Sequence, residues 1–197
     1  MQWFFGMPVK VMAIAAIGKY HNIEVEDDVT ALLEYPDGTT GVFITSTGEA
    51  PGTNRLEITG DRGKLVYEDG RLHFRRTEVS VAKYRAESKE RFLPPAVWEI
   101  DLPVDSSTSG QHKKILQNFC DSIQTGVPLI APAKEGLRGL ELGNAMLLSG
   151  LKHKTVSLPL DENEVAGMIE ELAAKSPGRK KNIRTPASDD FLRSFSK

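Results

Sequence analysis

The segment from Thr45 to Arg55, TSTGEAPGTNR, carries the side chains best suited to holding a polar small molecule. Thr45, Thr47, Glu49, Asn54 and Arg55 offer hydroxyls, a carboxylate, an amide and a guanidinium at the end of a strand, and loops on a rigid sheet are where binding groups collect. Such a set could grip a polyol. A hydrophilic connection accounts for the same residues, and both readings stand open at this level.

The remaining chemistry-bearing residues are sparse. His21, His73, His112 and His153 are scattered; His73 falls on a strand and His112 opens a helix, and surface or hydrogen-bonded imidazoles explain all four. Cys120 has no partner for an internal disulfide, which suits a reducing cytoplasm. It sits in an apolar helical pattern and is expected to be buried as a small hydrophobe. No H-E-x-x-H, C-x-x-C, G-x-S-x-G or G-x-G-x-x-G occurs, so no metal site, hydrolase elbow or dinucleotide-binding turn is predicted within the chain. Gly60-Asp61-Arg62-Gly63 has the spacing of a GxxG loop, but it joins two strands and reads as a hairpin turn.

Charge narrows the partners. A net charge of −2 over 197 residues gives no electrostatic case for nucleic acid or a membrane surface. The apolar run Leu137 to Leu151 is broken by Arg138 and Glu141 and is too short to cross a bilayer. Met1 to Phe5 is apolar without a basic leader, unlike a signal peptide. The expectation is a soluble, cytoplasmic protein. Arg179-Lys180-Lys181 with Arg184 lies on a Pro/Gly-containing tail, read as solvated in preference to a site for an acidic partner.

The elements that must position the loop alternate with period two. Val9 to Ile17 is a strand apolar on both faces; Val29 to Tyr35 and Thr40 to Thr47 pair across the turn Pro36-Asp37-Gly38-Thr39. Arg55 to Thr59, Lys64 to Tyr67 and Arg71 to Phe74 form a meander through Gly60–Gly63 and Asp69-Gly70. Thr77 to Arg91 is charged and poorly patterned, and Val97 to Leu102 returns as a strand. Three helices follow. The first runs from about Gly110 to Gln124, with Ser109 as candidate N-cap and Ile115, Leu116, Phe119, Cys120 and Ile123 as its stripe. The second runs from Lys134 to Ser149, with Leu137, Leu140, Asn144, Leu147 and Leu148 on one side and Gly136, Gly139 and Gly143 on a thin side open to close approach. Val156-Ser157-Leu158-Pro159 is an edge strand, and Asp161 with Glu164 reads as a capping box for the third helix. Strands first and helices afterwards predict an α+β fold: an open, predominantly antiparallel sheet with helices packed on one face. Residues 1–175 are expected to form this domain and 176–197 a basic, flexible tail.

Several segments in this order carry a family pattern: Gly6-Met7-Pro8-Val9-Lys10-Val11, Glu26-Asp27-Asp28, Tyr35-Pro36-Asp37-Gly38-Thr39, and Leu56-Glu57-Ile58-Thr59-Gly60 with Gly63-Lys64-Leu65. Gln111-His112, Asn118-Phe119, Gly126-Val127-Pro128, Glu135-Gly136, Asn144 to Ser149 and Val156 to Pro159 continue it. Together they resemble the C-terminal domain of the Gfo/Idh/MocA family, the glucose–fructose oxidoreductase and inositol dehydrogenase type of NAD(P)-dependent oxidoreductase. Members of that family open on a Rossmann domain and a Glu-Lys-Pro-type motif with a catalytic lysine, and this chain starts downstream of both. No catalytic residue, cofactor-binding residue or metal ligand is therefore carried over. The resemblance implies a sugar or polyol substrate and NAD or NADP for the complete enzyme, held by a Rossmann domain missing here. It implies a substrate wall at Thr45, Thr47, Glu49, Asn54 and Arg55. It also implies a homodimer or higher homo-oligomer built through the sheet face, and a chain that is non-catalytic alone. The rival reading is a stand-alone assembly or carbohydrate-binding module.

Overall fold

The computed structural model describes residues 1–90, 92–104 and 111–176. In chain order these form α1 (Gln2–Phe5), β1 (Lys10–Ile17), β2 (Glu26–Glu34), β3 (Thr40–Ser46), β4 (Arg55–Gly60), β5 (Gly63–Glu68) and β6 (Arg71–Thr77). Then come α2 (Val81–Glu87), β7 (Val97–Leu102), α3 (Gln111–Thr125), α4 (Ala133–Lys152), β8 (Val156–Ser157) and α5 (Glu162–Lys175). The α+β class with antiparallel strands holds. The strands divide between two four-stranded sheets, β3-β2-β1-β8 and β4-β5-β6-β7, which lie in two compact units.

The first unit, Met1–Gly48 with the residues from Gly136 on, has its core on one face of its sheet. Alternation puts Asp27, Val29, Ala31, Leu33 and then Tyr35 on the buried side of β2, with Val11 and Ala13 beside them on β1. Leu142, Ala145, Met146 and Leu148 of α4, Val156 of β8 and Met168 of α5 complete this cluster. Gly150 is required where α4 crosses β1: a Cβ there would stand 2.6 Å from the Ala15 backbone nitrogen. Beside it Ser149 is fully buried, and its Oγ accepts the Ala13 amide at 2.9 Å and donates to the Lys154 carbonyl at 2.6 Å. Strand β8 pairs with β1 only at Lys10 and Val11, so Ser149 supplies the partner that the edge strand is too short to give.

Among the described residues, none covers the opposite face of this sheet. Met12, Leu32 and Val42 form one cross-strand row and Ile14, Thr30 and Ile44 the next, with Ile14 and Ile44 each 69% exposed.

The second unit, Glu49–Glu135, is the meander β4 to β7 with α2 and α3. Asp69 and Gly70 both take positive φ, as a two-residue hairpin with the strand twist requires. The segment from Thr77 that lacked pattern contains a helix. Asp61 Oδ1 accepts the Ala82 amide at 2.8 Å and Ser80 Oγ the Lys83 amide at 3.1 Å, so the β4–β5 turn caps α2.

Several expectations are corrected. Cys120 is exposed, as are Ile115, Leu116, Phe119 and Ile123, because the whole apolar stripe of α3 faces outward in this chain. On α4, Leu137 and Leu140 are exposed and the buried side is Leu142, Ala145, Met146, Leu148 and Ser149. A Cβ at Gly136, Gly139 or Gly143 would meet nothing within 4 Å, so the thin side receives no close neighbour. Asp161 Oδ1 caps α5 through the Asn163 amide, but Glu164 pairs with Lys154 Nζ at 2.6 Å instead of closing a capping box. The candidate N-cap Ser109 and the tail beyond Ser176 lie outside the described residues.

Candidate functional site

At the end of β3 in the first unit, Thr45 and Thr47 line a cleft of about 210 Å³ with Glu26, Asp27, Asp28, Val29, Phe43, Gly143, Met146 and Leu147. Thr45 is placed by its pairing with Val29. The Thr47 amide donates to the Asp27 carbonyl at 2.9 Å, continuing the β2–β3 ladder one step past the strand. The cleft thus has an apolar back from α4, with Thr45, Thr47 and the acidic start of β2 opposite it.

Asp27 organises this end of the sheet. Its carboxylate is buried and accepts three main-chain amides: Lys19 at 2.9 Å, Tyr20 at 2.7 Å and His21 at 2.9 Å. Burial alone would raise its pKa, but the Tyr20, Lys19 and His21 amides with the His21 ring outweigh that and lower it from 3.8 to about 2. The loop after β1 is thereby tied down beside Thr47. Tyr20 closes over Gly48, where a Cβ would stand 2.3 Å from the ring. Lys19 turns back to Asp28, Nζ to Oδ2 at 3.1 Å, so one cleft carboxylate is already paired.

His21, Asp27 and Thr47 invite comparison with a hydroxyl–imidazole–carboxylate relay. His21 Nδ1 lies 3.1 Å from Thr47 Oγ1 and 3.4 Å from Asp27 Oδ2. Both contacts use one ring nitrogen, whereas a relay needs the hydroxyl on one nitrogen and the carboxylate on the other. The cluster therefore fixes the loop and does not activate the Thr47 hydroxyl.

The other three predicted residues fall in the second unit. Glu49 accepts the Thr53 hydroxyl at 2.7 Å within the loop, and Asn54 is exposed. Arg55 bridges Glu57 at 2.6 Å and Glu68 at 2.5 Å, and Lys64 also pairs with Glu57. These bonds, that to Glu57 foremost, raise the guanidinium pKa, and those from Lys64 and Arg55 lower that of Glu57. Arg55 is thus engaged within its own sheet. The structure brings Thr45 and Thr47 together and adds Asp27 and His21, neither of which was singled out from the sequence. The available signal was parity: Asp27 is two residues before Val29 on the same buried side of β2.

No group of three or more His, Cys, Asp or Glu that could hold a metal ion occurs among the described residues, and no helix among them is long and apolar enough to cross a membrane. All strand pairings there are antiparallel, and no strand runs through a Gly-rich turn into a helix. The residues present do not fit a dinucleotide pyrophosphate, and no step is assigned to one.

Sheets of this kind, with helices covering one face of the first, define an α+β domain shared with known oxidoreductases. Residues 1–66 match the family described as the GFO/IDH/MocA C-terminal domain, which bears out the resemblance read from the sequence over that segment. Trans-1,2-dihydrobenzene-1,2-diol dehydrogenase of Bos taurus is 36% identical over 83 residues, covering 42% of this chain and 23% of that protein. An oxidoreductase from Agrobacterium radiobacter, solved with NAD+, L-tartaric acid and magnesium, superposes with a TM-score of 0.56 at 18% identity, over 85% of this chain and 46% of its own. The WlbA dehydrogenase of Bordetella pertussis, solved with NADH and UDP-GlcNAcA, gives 0.51 at 20% identity over 81% and 41%. This chain spans under a quarter of the curated relative and under half of these two solved structures.

Proposed function

We propose that the chain supplies the substrate-facing wall and the assembly surface of an NAD(P)-dependent oxidoreductase acting on a sugar or other polyol. The observation that carries this is the cleft at the end of β3, which Thr45, Thr47 and Glu26 line while Asp27 and Asp28, engaged by the loop after β1, hold its floor. Hydroxyls and carboxylates are the partners a polyol needs, since each substrate O–H can donate to one and accept from the other. At about 210 Å³ the cleft is smaller than the roughly 300–1,000 Å³ of a complete ligand pocket, as suits one wall of a larger site. The matched family and the polyhydroxy acid bound by the Agrobacterium protein support the same substrate class.

Hydride transfer requires nicotinamide and carbinol held together with a proton-transfer group beside them. NAD or NADP would supply the hydride acceptor. The residues described here would orient the substrate hydroxyls and exclude water, so the chain by itself is inactive. In the complete enzyme, Thr45→Ala and Thr47→Ala should each lower kcat/KM for a polyol about two- to tenfold, the worth of one neutral hydrogen bond at ~0.5–1.5 kcal/mol. Glu49→Ala and Arg55→Ala test the other half of the predicted set. Unchanged kcat/KM in all four variants would leave the segment as a connection and favour a non-catalytic assembly module.

A further inference from the structure

The first unit holds a groove of about 610 Å³ that the proposed function does not use. It runs between the loop after β1 and α5, and Ile17, Ile23, Val25, Leu147, Ile169 and Leu172 give it an apolar lining. Val25 is 57% exposed and Ile169 53%, and Ile17 and Ile23 are exposed as well. Single exposed apolar residues are ordinary, but a cluster of them along one concavity marks a surface that takes a partner. Glu24 and Glu26 also line the groove, with Lys175 as its one cation.

The path of the chain leads to this groove. Helix α5 ends at Lys175, and the extended Ser176 lines the groove and donates its hydroxyl to Glu24. Pro177 and Gly178 follow, a pair that stops a helix and permits a reversal. Residues 177–197 lie outside the described residues. Their sequence carries six lysines and arginines against two aspartates, so the remainder of a chain of net charge −2 is acidic. Within it Phe191, Leu192 and Phe195 recur at the spacing of one helical face, behind the helix-start signal Ser188-Asp189-Asp190. Large apolar side chains set among basic residues complement an apolar groove with an acidic rim, the pattern of an amphipathic turn laid in a groove.

We infer that residues 188–197 dock in this groove of their own chain. Phe191, Leu192 and Phe195 lie on its apolar lining, and the basic residues of the segment face Glu24 and Glu26. Reach is sufficient: Phe191 is 15 positions past Ser176, and an extended chain spans ~3.3–3.6 Å per residue. The tether gives an effective concentration in the millimolar range, so a weak intrinsic affinity is enough to hold the segment. Glu26 and Leu147 line both this groove and the Thr45–Thr47 cleft, so the docked segment stands at the side of that cleft.

The test uses the full chain with the exposed Cys120 removed as Cys120→Ser and a nitroxide spin label on Ser196→Cys. The amides of Ile23, Val25, Ile169 and Leu172 should lose most of their intensity, while that of Lys10 at the far end of β1 keeps its own. Phe191→Ser with Phe195→Ser should restore the lost intensity, and so should Ile169→Asp, made at an exposed position that the fold tolerates. Glu24→Gln with Glu26→Gln should restore part of it. Circular dichroism spectra unchanged from wild type would show that the restored signal reports release of the segment and not unfolding. Mixing spin-labelled chains with isotope-labelled chains that carry no spin label should leave the intensities unaltered. The inference is overturned by no loss at the groove, by a loss spread evenly over the first unit, or by a loss that survives both the phenylalanine and the Ile169 substitutions. An equal loss in the mixed sample would overturn it too, giving the groove to a second copy. None of these outcomes bears on the polyol kinetics proposed for the cleft.

Discussion

The Asp27 carboxylate accepts the Tyr20 amide at 2.7 Å, and through this bond a buried charge on β2 holds the loop that leaves β1. Lys19 and His21 donate to the same carboxylate, so three amides that would lack partners at a strand end converge on one side chain.

Acid should loosen this end of the sheet. The folded pKa of Asp27, about 2, lies below its ordinary 3.8, so the native state binds fewer protons than the unfolded chain between those values. The contribution is complete above about pH 4 and is lost as pH falls through 2. Asp27→Asn should remove it at every pH and lower Tm by on the order of 5 °C near neutrality. A stability difference between wild type and Asp27→Asn that stays constant from pH 5 down to pH 2 would show that the charge is not what the loop depends on.

Ser149→Ala should destabilise the first unit strongly for so small a change. It leaves the buried Ala13 amide without its partner, at about 1–3 kcal/mol, and frees the part-buried Lys154 carbonyl, which water can reach at a smaller cost. Urea unfolding gives the loss, and faster exchange of the Ala13 amide hydrogen locates it. A change under ~0.5 kcal/mol would mean the edge of β1 finds another donor-acceptor arrangement.

Gly150→Ala separates propensity from packing. On helix propensity alone alanine should stabilise α4 by about 1 kcal/mol. The added Cβ would meet the Ala15 backbone at 2.6 Å, and backbone cannot swing away as a side-chain end can. Overpacking costs about 1–3 kcal/mol, so the net effect should be destabilising by thermal melt. A raised Tm would show that α4 rides freely over β1.

The bare sheet face should join two copies. Met12, Ile14, Leu32, Val42 and Ile44 are all substantially exposed, and a two-fold contact would cover ten such side chains. Full burial is worth about 1.5–3 kcal/mol for each, and half that total is comparable with the ~4–15 kcal/mol cost of association. Light scattering at micromolar concentration should give a dimer or larger mass. Ile44→Lys should give a monomer with an unchanged circular dichroism spectrum. A monomeric wild type would remove the assembly role.

Dinucleotide binding tests the division of labour. Calorimetry of the chain with NAD or NADP should show no saturable heat, because the described residues contain no Gly-rich strand-to-helix turn to hold a pyrophosphate. A micromolar dissociation constant would overturn this part of the proposal.

What the sequence determined by itself was whatever depends on neighbours a few residues away. The alternation in Arg55 to Phe74, the Asp69-Gly70 hairpin, the extent of α3 and the starts of α4 and α5 follow from local backbone preference and period, and the structure places them close to where those signals do, whereas α4 runs on through Gly150 to Lys152 instead of ending at Ser149. Thr45 and Thr47 were legible as a polar strand end for the same reason. Tertiary structure alone decided the partners. Asp61 caps α2 across 21 positions, and Ser149 serves Ala13 across 136, so neither helix start nor strand edge announces its partner in local pattern. The two-sheet division belongs here too, since period two says that strands exist but not which edges meet. Asp27 shows both halves in one residue. Its parity with Val29, Ala31 and Leu33 marks the buried side of β2, but only the loop folded over it turns a buried carboxylate from a penalty into an anchor.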